Sequence, residues 1–426
     1  VERVSIFGFV LGAYDHERII QHAVQKRIGK FGLKMIALTV RCLIDDARFV
    51  NYTVYLPLAV VASGLLWKIL GMRNRNLVIG VIMMTTVACS LAFAAENDSP
   101  LRVGTFVVDA SPPIGSPLAY NTCVSVGMEL SARGIVLLGS GDPIVLCAVD
   151  WIGLSNGGYD AWRTTIADAV GTSVERVSVH ALHQHDAPVC DFSAVKLLDE
   201  AGYTGTMFDV DFARRTIANV AEAVKVAAAN AKVATHVGLG EAKVDRVAST
   251  RRILGDDGKI KYVRYTATRD PVVRAAPEGV IDPMVKSISF WNGDKALVVL
   301  TYYATHPQSY YQTGVANPDF PGMARFLREV THNGLTHVHF NGAGGDVGAG
   351  KYNDGSHENR QILAVRLAEG MAGALEATKK FPVTAEDVGW ETLPVALPVA
   401  GHLDETALIE QLKDSASLRD AVRNEI

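Results

Sequence analysis

The segment that most constrains the fold is residues 177–191, VSVHALHQHDAPVCD, a strand that ends in a histidine cluster. Apolar residues alternate at Val177 and Val179, and the same alternation places His183 and His185 on one face of an extended chain. A rigid strand end with two neighbouring imidazoles can supply half of a zinc site, since imidazole nitrogen is a good zinc ligand. The simpler interpretation is a polar strand end with incidental histidines.

A second predicted strand also ends in a histidine, which favours a site. Residues 296–303 form the second arm of an expected hairpin and run directly into His306. Asp319 lies in the loop that follows, and Asp346 lies in a glycine-rich loop after a third strand at residues 336–340. Catalytic groups on loops at the ends of neighbouring strands are the usual pattern in α/β enzymes.

Strand-like and helix-like segments alternate along residues 96–426, which predicts an α/β fold. We expect a mixed layered sheet with flanking helices and with catalytic loops at the strand ends. Two β-rich runs within residues 134–149 predict a hairpin, and apolar periodicity predicts helices at residues 209–230 and 358–378. No internal repeat is visible in the sequence.

The first part of the chain has the features of a targeting segment. Residues 72–95 comprise a basic start, an apolar run and an Ala-Phe-Ala cleavage site, which predicts a secretory signal peptide and an exported protein. Residues 1–71 are then misassigned upstream sequence; the alternative is a membrane anchor at residues 54–70. The hydrolase-like domain would occupy residues 96–426, and its last helical run stops without a cap, so we expect the natural chain to continue.

Composition narrows the classes of partner. The formal net charge is −4 and the isoelectric point is near 6.3, so a basic face for nucleic acid is not expected. Of the five cysteines, only Cys123, Cys147 and Cys190 would survive cleavage. One disulfide is conceivable among them, but Cys190 is better explained as a small buried residue. The sequence does not indicate the oligomeric state.

A glycine-rich run at residues 345–351, GDVGAGK, is close to a phosphate-binding P-loop. Tyr352 stands where such a loop needs Ser or Thr for magnesium, and Asn353-Asp354-Gly355 breaks the chain direction where a helix must start. We therefore do not expect nucleotide binding.

Five short motifs occur in order within roughly residues 100–380. They are Asp109-Ala110-Ser111-Pro112-Pro113-Ile114-Gly115, Val149-Asp150-Trp151, His183-Gln184-His185-Asp186, Tyr303-Ala304-Thr305-His306-Pro307 and Gly345-Asp346-Val347-Gly348. In this order they resemble the N-terminal catalytic domain of the neutral/alkaline non-lysosomal ceramidase family.

The resemblance implies a zinc-dependent hydrolase that cleaves an N-acyl amide such as N-acylsphingosine, with a small-molecule or lipid amide substrate that would bring the protein to a membrane surface. It implies that His183 and His306 bind Zn²⁺ and that His185 transfers protons beside the metal. Arg251 would lie near the substrate, and Asp346 would be a further catalytic residue. Zinc can polarise a carbonyl and activate water, a histidine can carry the proton, and an arginine can stabilise the oxyanion.

The chain departs from the family at several positions. Gly348 replaces a serine, and Ala187-Pro188 replaces a glycine-rich run next to the substrate. The family's other zinc ligands, a glutamate and a tyrosine, would lie past residue 426, unless Asp186, Asp319 or solvent completes the site. The alternative function is therefore a non-catalytic exported binding protein on a degenerate hydrolase fold.

Overall fold

The chain forms two compact units, Val1–Asp98 and Ser99–Ile426. In the first, β1 (Met35–Asp45) and β2 (Arg48–Pro57) pair as an antiparallel hairpin. The expected signal peptide, residues 72–95, lies outside the described residues. The computed structural model describes residues 35–45, 48–57, 100–200, 202, 205 and 207–413.

The second unit contains the histidine segments. Its strands in chain order are β3 (Arg102–Asp109), β4 (Ser125–Val126), β5 (Ser131–Gly139), β6 (Gly141–Val149), β7 (Gly153–Leu154), β8 (Val177–Ala181), β9 (Val189–Cys190), β10 (Lys232–Val233), β11 (His236–Lys243), β12 (Ser249–Thr250), β13 (Arg252–Leu254), β14 (Ile260–Val263), β15 (Met284–Asn292), β16 (Lys295–Tyr303), β17 (Val315–Ala316), β18 (His337–Asn341), β19 (Val347–Gly348) and β20 (Lys379–Pro382). Its α-helices are α1 (Asn156–Val170), α2 (Phe192–Glu200), α3 (Val210–Ala229), α4 (Pro271–Ala275), α5 (Asp319–Thr331), α6 (His357–Glu376) and α7 (Glu405–Lys413).

Two five-stranded sheets share one topology. The first has the spatial order β10-β3-β5-β6-β8, and the second has the order β20-β11-β15-β16-β18. In each, three strands pair antiparallel, a crossover helix (α1 or α5) leads to a parallel edge strand, and a later helix (α3 or α6) leads to a short strand that pairs antiparallel with the first. The fold is therefore a topological duplication, which the sequence did not reveal.

The two halves also share a helix-on-strand contact. Gly104 of β3 lies against the carbonyl of Ala227 near the end of α3, and Gly240 of β11 lies against the carbonyl of Ala374 near the end of α6. A Cβ at either glycine would collide with helix backbone, so only glycine permits this close approach. Each sheet thus packs its long helix at one glycine contact.

The sheets meet where the edge strands β8 and β18 end. The side chain of Asn341 donates to the carbonyl of Leu182 at 2.7 Å, and its backbone N–H lies 3.4 Å from Nε2 of His180. Arg325 on α5 forms a buried, bidentate pair with Asp150, which follows β6. These contacts bring the loops after both sets of parallel strands to one region.

The α/β fold predicted from the sequence is confirmed: mixed sheets carry flanking helices, and α3 and α6 lie where apolar periodicity placed them. Cys123, Cys147 and Cys190 are all buried free thiols, so no disulfide joins them. None of the helices in the described part of the chain is both long and apolar enough to cross a bilayer.

Candidate metal centre

Three imidazoles converge at the end of the first sheet. His183 and His185 follow β8, and His306 follows β16 of the second sheet. One ring nitrogen of each lies within 4.8 Å of the corresponding nitrogens of the other two. The ring centroids are 4.8 Å apart for His183 and His185, 4.8 Å for His183 and His306, and 5.1 Å for His185 and His306. The two predicted histidine segments therefore form one cluster.

The chain reaches His183 through a backbone change, not through continued alternation. Strand β8 ends at Ala181, and His183 has φ of +66°, in the left-handed region that non-glycine residues rarely adopt. Its N–H donates to the carbonyl of Trp151 at 2.9 Å, and its Nδ1 lies 2.7 Å from the carbonyl of Ile152. Because a carbonyl only accepts, Nδ1 carries the proton and Nε2 keeps a free lone pair.

His306 is held in a similar way by the glycine-rich loop. Its N–H donates to the carbonyl of Val347 at 2.8 Å, and its Nδ1 faces the carbonyl of Gly344 at 3.4 Å. Nε2 of His306 therefore also faces away from the backbone with its lone pair free. Such outer hydrogen bonds fix the tautomer of metal-binding histidines.

His185 is the most enclosed of the three. Its Nε2 lies 3.0 Å from Nε2 of His306. Its Nδ1 lies 2.9 Å from the hydroxyl of Tyr120 and 2.9 Å from Nε2 of Gln308. Burial, with positive charge on His183, His306 and Arg251, lowers the pKa of His185 to about 2, so this imidazole stays neutral.

The cluster fits a metal ion by its donor chemistry. Nitrogen ligands at about 2.0–2.1 Å from a tetrahedral zinc lie roughly 3.3 Å apart, and the three ring nitrogens here lie within 4.8 Å of one another. Burial, together with the neighbouring His183 and Arg251, lowers the pKa of His306 to about 4, so its lone pair is not lost to a proton near neutral pH. Metal binding requires neutral imidazole, which burial favours at His306.

Two carboxylates near the cluster are engaged elsewhere. Asp186 is buried and accepts hydrogen bonds from the backbone and the hydroxyl of Thr313, at 3.1 and 2.7 Å. Asp319 is buried at the start of α5 and accepts from Ser309 and Arg360. Neither belongs to the group of possible ligands among the described residues. Asp186 instead ties the loop after His185 to the loop after His306.

The structure places Arg251 in the site and Asp346 beside it. Arg251 lines the same cleft as the three histidines, and its N–H donates to the carbonyl of Asp346 at 2.7 Å. The carboxylate of Asp346 pairs with Arg252 at 2.6 Å and lines a separate surface pocket. Gly348 lies between His306 and Arg251, where a Cβ would make ordinary contacts of 3.6 and 3.9 Å.

The cleft above the histidines has a volume of about 480 Å³, within the range of small-molecule sites. Three tyrosines form much of its wall: Tyr120, Tyr265 and Tyr311. Tyr120 packs against Tyr311 with ring centroids 5.0 Å apart. Burial, together with Tyr311 and the negative charge of Asp186, raises the pKa of Tyr120 to about 12, so its hydroxyl stays protonated.

Sequence reasoning missed the residues that surround His185. Tyr120 reaches it because the N–H of Ala119 donates to the carbonyl of Ala187 at 3.0 Å, which holds two distant loops together. Gln308 stands two residues after His306, and its amide oxygen accepts from the hydroxyl of Thr266. The sequence indicates Gln308 only by its position just after His306-Pro307. It gives no indication of Tyr120, which is a single tyrosine in a loop.

Similarity to known proteins is found among solved structures. No protein-family model and no curated protein matches the sequence. Among solved structures, the chain is similar to a neutral ceramidase from Pseudomonas aeruginosa, with a TM-score of 0.49 and 17% identity over 66% of this chain and 45% of that one. A ceramidase complexed with C2 gives 0.48 and 16% over 65% and 44%. The chain spans less than half the length of either structure.

Proposed function

We propose that this chain is a zinc-dependent hydrolase of an N-acyl amide bond. The observation that carries the proposal is the convergence of His183, His185 and His306 at one cleft. Three imidazoles beside an open cleft suit a catalytic zinc site, which keeps one position for water or substrate. The order of the five motifs also agrees with a ceramidase-like hydrolase.

Each histidine has a place in this proposal. Nε2 of His183 and Nε2 of His306 would hold the metal, and His185 lies beside it. When bound, zinc polarises the amide carbonyl and acidifies the attacking water. The proton-transfer role that the resemblance implies for His185 fits its hydrogen bonds: the amide N–H of Gln308 donates to Nδ1, so the ring proton is on Nε2, which faces Nε2 of His306 at 3.0 Å.

Tyr120 adds a hydrogen-bond donor next to His185. Its hydroxyl lies at the cleft, 2.9 Å from His185, and its raised pKa keeps it protonated near neutral pH. It can donate a hydrogen bond to the leaving nitrogen as the carbon–nitrogen bond breaks. Asp346 acts by position, because its carbonyl holds the backbone of Arg251 and its carboxylate holds Arg252.

The motif resemblance supports a lipid amide of the N-acylsphingosine kind as the substrate class, with the protein at a membrane surface while it acts. Export through the signal peptide at residues 72–95, ahead of a hydrolase domain at residues 96–426, stays a prediction from the sequence.

Turnover of N-octanoyl amides by the zinc-loaded chain tests the proposal. Release of the amine would be measured for N-octanoylsphingosine, N-octanoylphenylalanine and N-octanoylphenethylamine. We expect hydrolysis of at least one substrate, inhibition by a chelator and recovery with added zinc. His306→Ala should lower kcat/KM by at least about 100-fold, because it removes a ligand from the metal.

His402→Ala is the matched control, since His402 is exposed and remote from the cluster in sequence. This variant should keep the activity of the parent chain. A folded, zinc-loaded chain that hydrolyses none of the three amides would overturn the hydrolase proposal and favour the binding protein.

A further inference from the structure

Arg251 brings a positive charge to the cleft that no neighbour neutralises. The cleft is lined by aromatic, amide, hydroxyl and imidazole side chains, and none of its described lining residues is an aspartate or a glutamate. Within the described residues, Arg251 makes no ion pair within 4.0 Å; its guanidinium reaches only the carbonyl of Gly345, at 3.4 Å.

Two acidic residues next to the lining residues are directed to other partners. Asp346 pairs with Arg252, and Asp186 accepts from Thr313. The three imidazoles are no counter-ions, because an imidazole is either neutral or positively charged, and a bound zinc would add further positive charge. The cleft is thus electropositive whether or not metal is present.

A guanidinium favours a specific kind of ligand. Its planar array of N–H donors matches the two oxygens of a carboxylate, and the paired, charge-assisted hydrogen bonds are among the strong ones. Arg251 is half-buried, so the cost of removing its charge from water is offset best by an anion. The backbone of Arg251 is fixed on both sides, by Asp346 and by the N–H of Arg264 at 2.7 Å.

We infer that the substrate carries a carboxylate on its amine half, so that the substrate class is an N-acyl amino acid. This inference rests on the proposed hydrolysis of an N-acyl amide, and it replaces N-acylsphingosine as the substrate class, because N-acylsphingosine has no such charge. The guanidinium of Arg251 binds the carboxylate, and the tyrosines at the mouth, Tyr265 and Tyr311, contact the amino-acid side chain.

The reaction is a simple hydrolysis. Water adds to the amide carbon, the carbon–nitrogen bond breaks, and the nitrogen takes a proton. The products are a fatty acid and a free amino acid, with no oxidant, reductant or other co-reactant. The carboxylate at Arg251 takes no part in the bond changes.

A pair of substrates that differ only in the carboxylate tests the inference. N-octanoylphenylalanine and N-octanoylphenethylamine share the acyl chain, the amide and the ring. The parent chain should prefer the carboxylate by about 10- to 100-fold in kcat/KM, and Arg251→Gln should abolish the preference by slowing only the anionic substrate.

Arg215→Gln is the matched control, because Arg215 is exposed on α3 and does not line the cleft. It should keep the preference. Equal rates for the two substrates in the parent chain would overturn the inference. So would an equal loss on both substrates in Arg251→Gln, which would assign Arg251 to the oxyanion.

Binding to the metal-free chain separates this inference from the proposed function. Without zinc, a preference for the carboxylate must come from the protein itself. Calorimetry should then show that N-octanoylphenylalanine binds more tightly than N-octanoylphenethylamine. The Arg251→Gln variant should bind the two compounds equally. If no amide is hydrolysed yet this difference is present, the hydrolase proposal fails and the carboxylate site stands. No difference in binding overturns the carboxylate site.

Discussion

His337 and His339 are two fully buried histidines on β18 that take no part in the metal centre. Both ring nitrogens of His337 lack a hydrogen-bond partner among the described residues, and so does Nε2 of His339. Burial lowers the pKa of each to about 3, and the neighbouring charges of Arg328 and Arg325 act in the same direction. Both imidazoles are therefore neutral in the folded protein.

This arrangement should make stability depend on pH. Between about pH 3 and pH 6.5 the unfolded chain binds protons that the folded chain excludes, so the free energy of unfolding rises with pH. Each such histidine contributes a slope of about 1.4 kcal/mol per pH unit over this range. Urea unfolding at several pH values should show a slope smaller by about one proton in His337→Gln.

His402→Gln provides the comparison, because His402 is exposed. Its slope should equal that of the parent chain. An unchanged slope in His337→Gln would mean that His337 is protonated in the folded state, contrary to its burial.

At the level of single residues, the sequence predicted the members of the histidine cluster better than the residues around them. The cleft is lined by all three histidines of the cluster and by Arg251. These residues could be singled out in the sequence because strand ends and the order of the motifs are visible there. The carboxylate of Asp346 lies in a neighbouring pocket, since Arg252 holds it there. Contacts such as the one between Tyr120 and His185 depend on the packing of distant loops, which no local pattern records.

At the scale of elements, a fully buried ion pair helps to hold α5 against the first sheet. Arg325 donates two hydrogen bonds to Asp150, at 3.1 and 2.7 Å, and Ser131 donates two more. Burial alone would raise the pKa of Asp150, but the charges of Arg325 and Arg133 and the hydrogen bonds from Arg325 and Ser131 outweigh it and hold the pKa below its usual value. The pair joins the two halves of the fold next to Gln184, which stands between two histidines of the cluster.

Breaking this pair should be costly. Asp150→Asn leaves the guanidinium of Arg325 buried without its counter-ion, which we expect to lower the free energy of unfolding by about 3–5 kcal/mol. Asp282→Asn is the control, because Asp282 pairs with Lys286 at the surface and such pairs contribute about 0–1 kcal/mol. Denaturant unfolding of both variants gives the comparison, and a similar small loss in each would contradict a structural role for Asp150.

The elements themselves were largely predictable. The β5–β6 hairpin follows from two β-rich runs, and helices α3 and α6 follow from a period-3.6 apolar pattern that tertiary packing did not override. The path of the chain between β8 and His185 was not predictable. The left-handed backbone at His183 is imposed by hydrogen bonds to Trp151 and Ile152, which are distant in sequence.

At the scale of the whole molecule, the duplicated topology explains why one site needs both halves. The first half supplies His183 and His185 from the loop after β8, and the second supplies His306 from the loop after β16. The repeat escaped the sequence because the equivalent segments share strand order and a helix–glycine contact, not residues. For example, β6 in the first sheet is followed by Asp150, whereas its equivalent in the second sheet, β16, is followed by the segment that leads to His306.

Zinc binding by the full chain tests the central claim most directly. Metal analysis after dialysis should find about one zinc per chain, and His183→Ala and His306→Ala, each from a different half, should both lose it while remaining folded. His402→Ala should retain the metal. A folded parent chain without zinc, or His306→Ala with zinc bound as tightly as in the parent, would contradict the claim that the two halves build one metal centre.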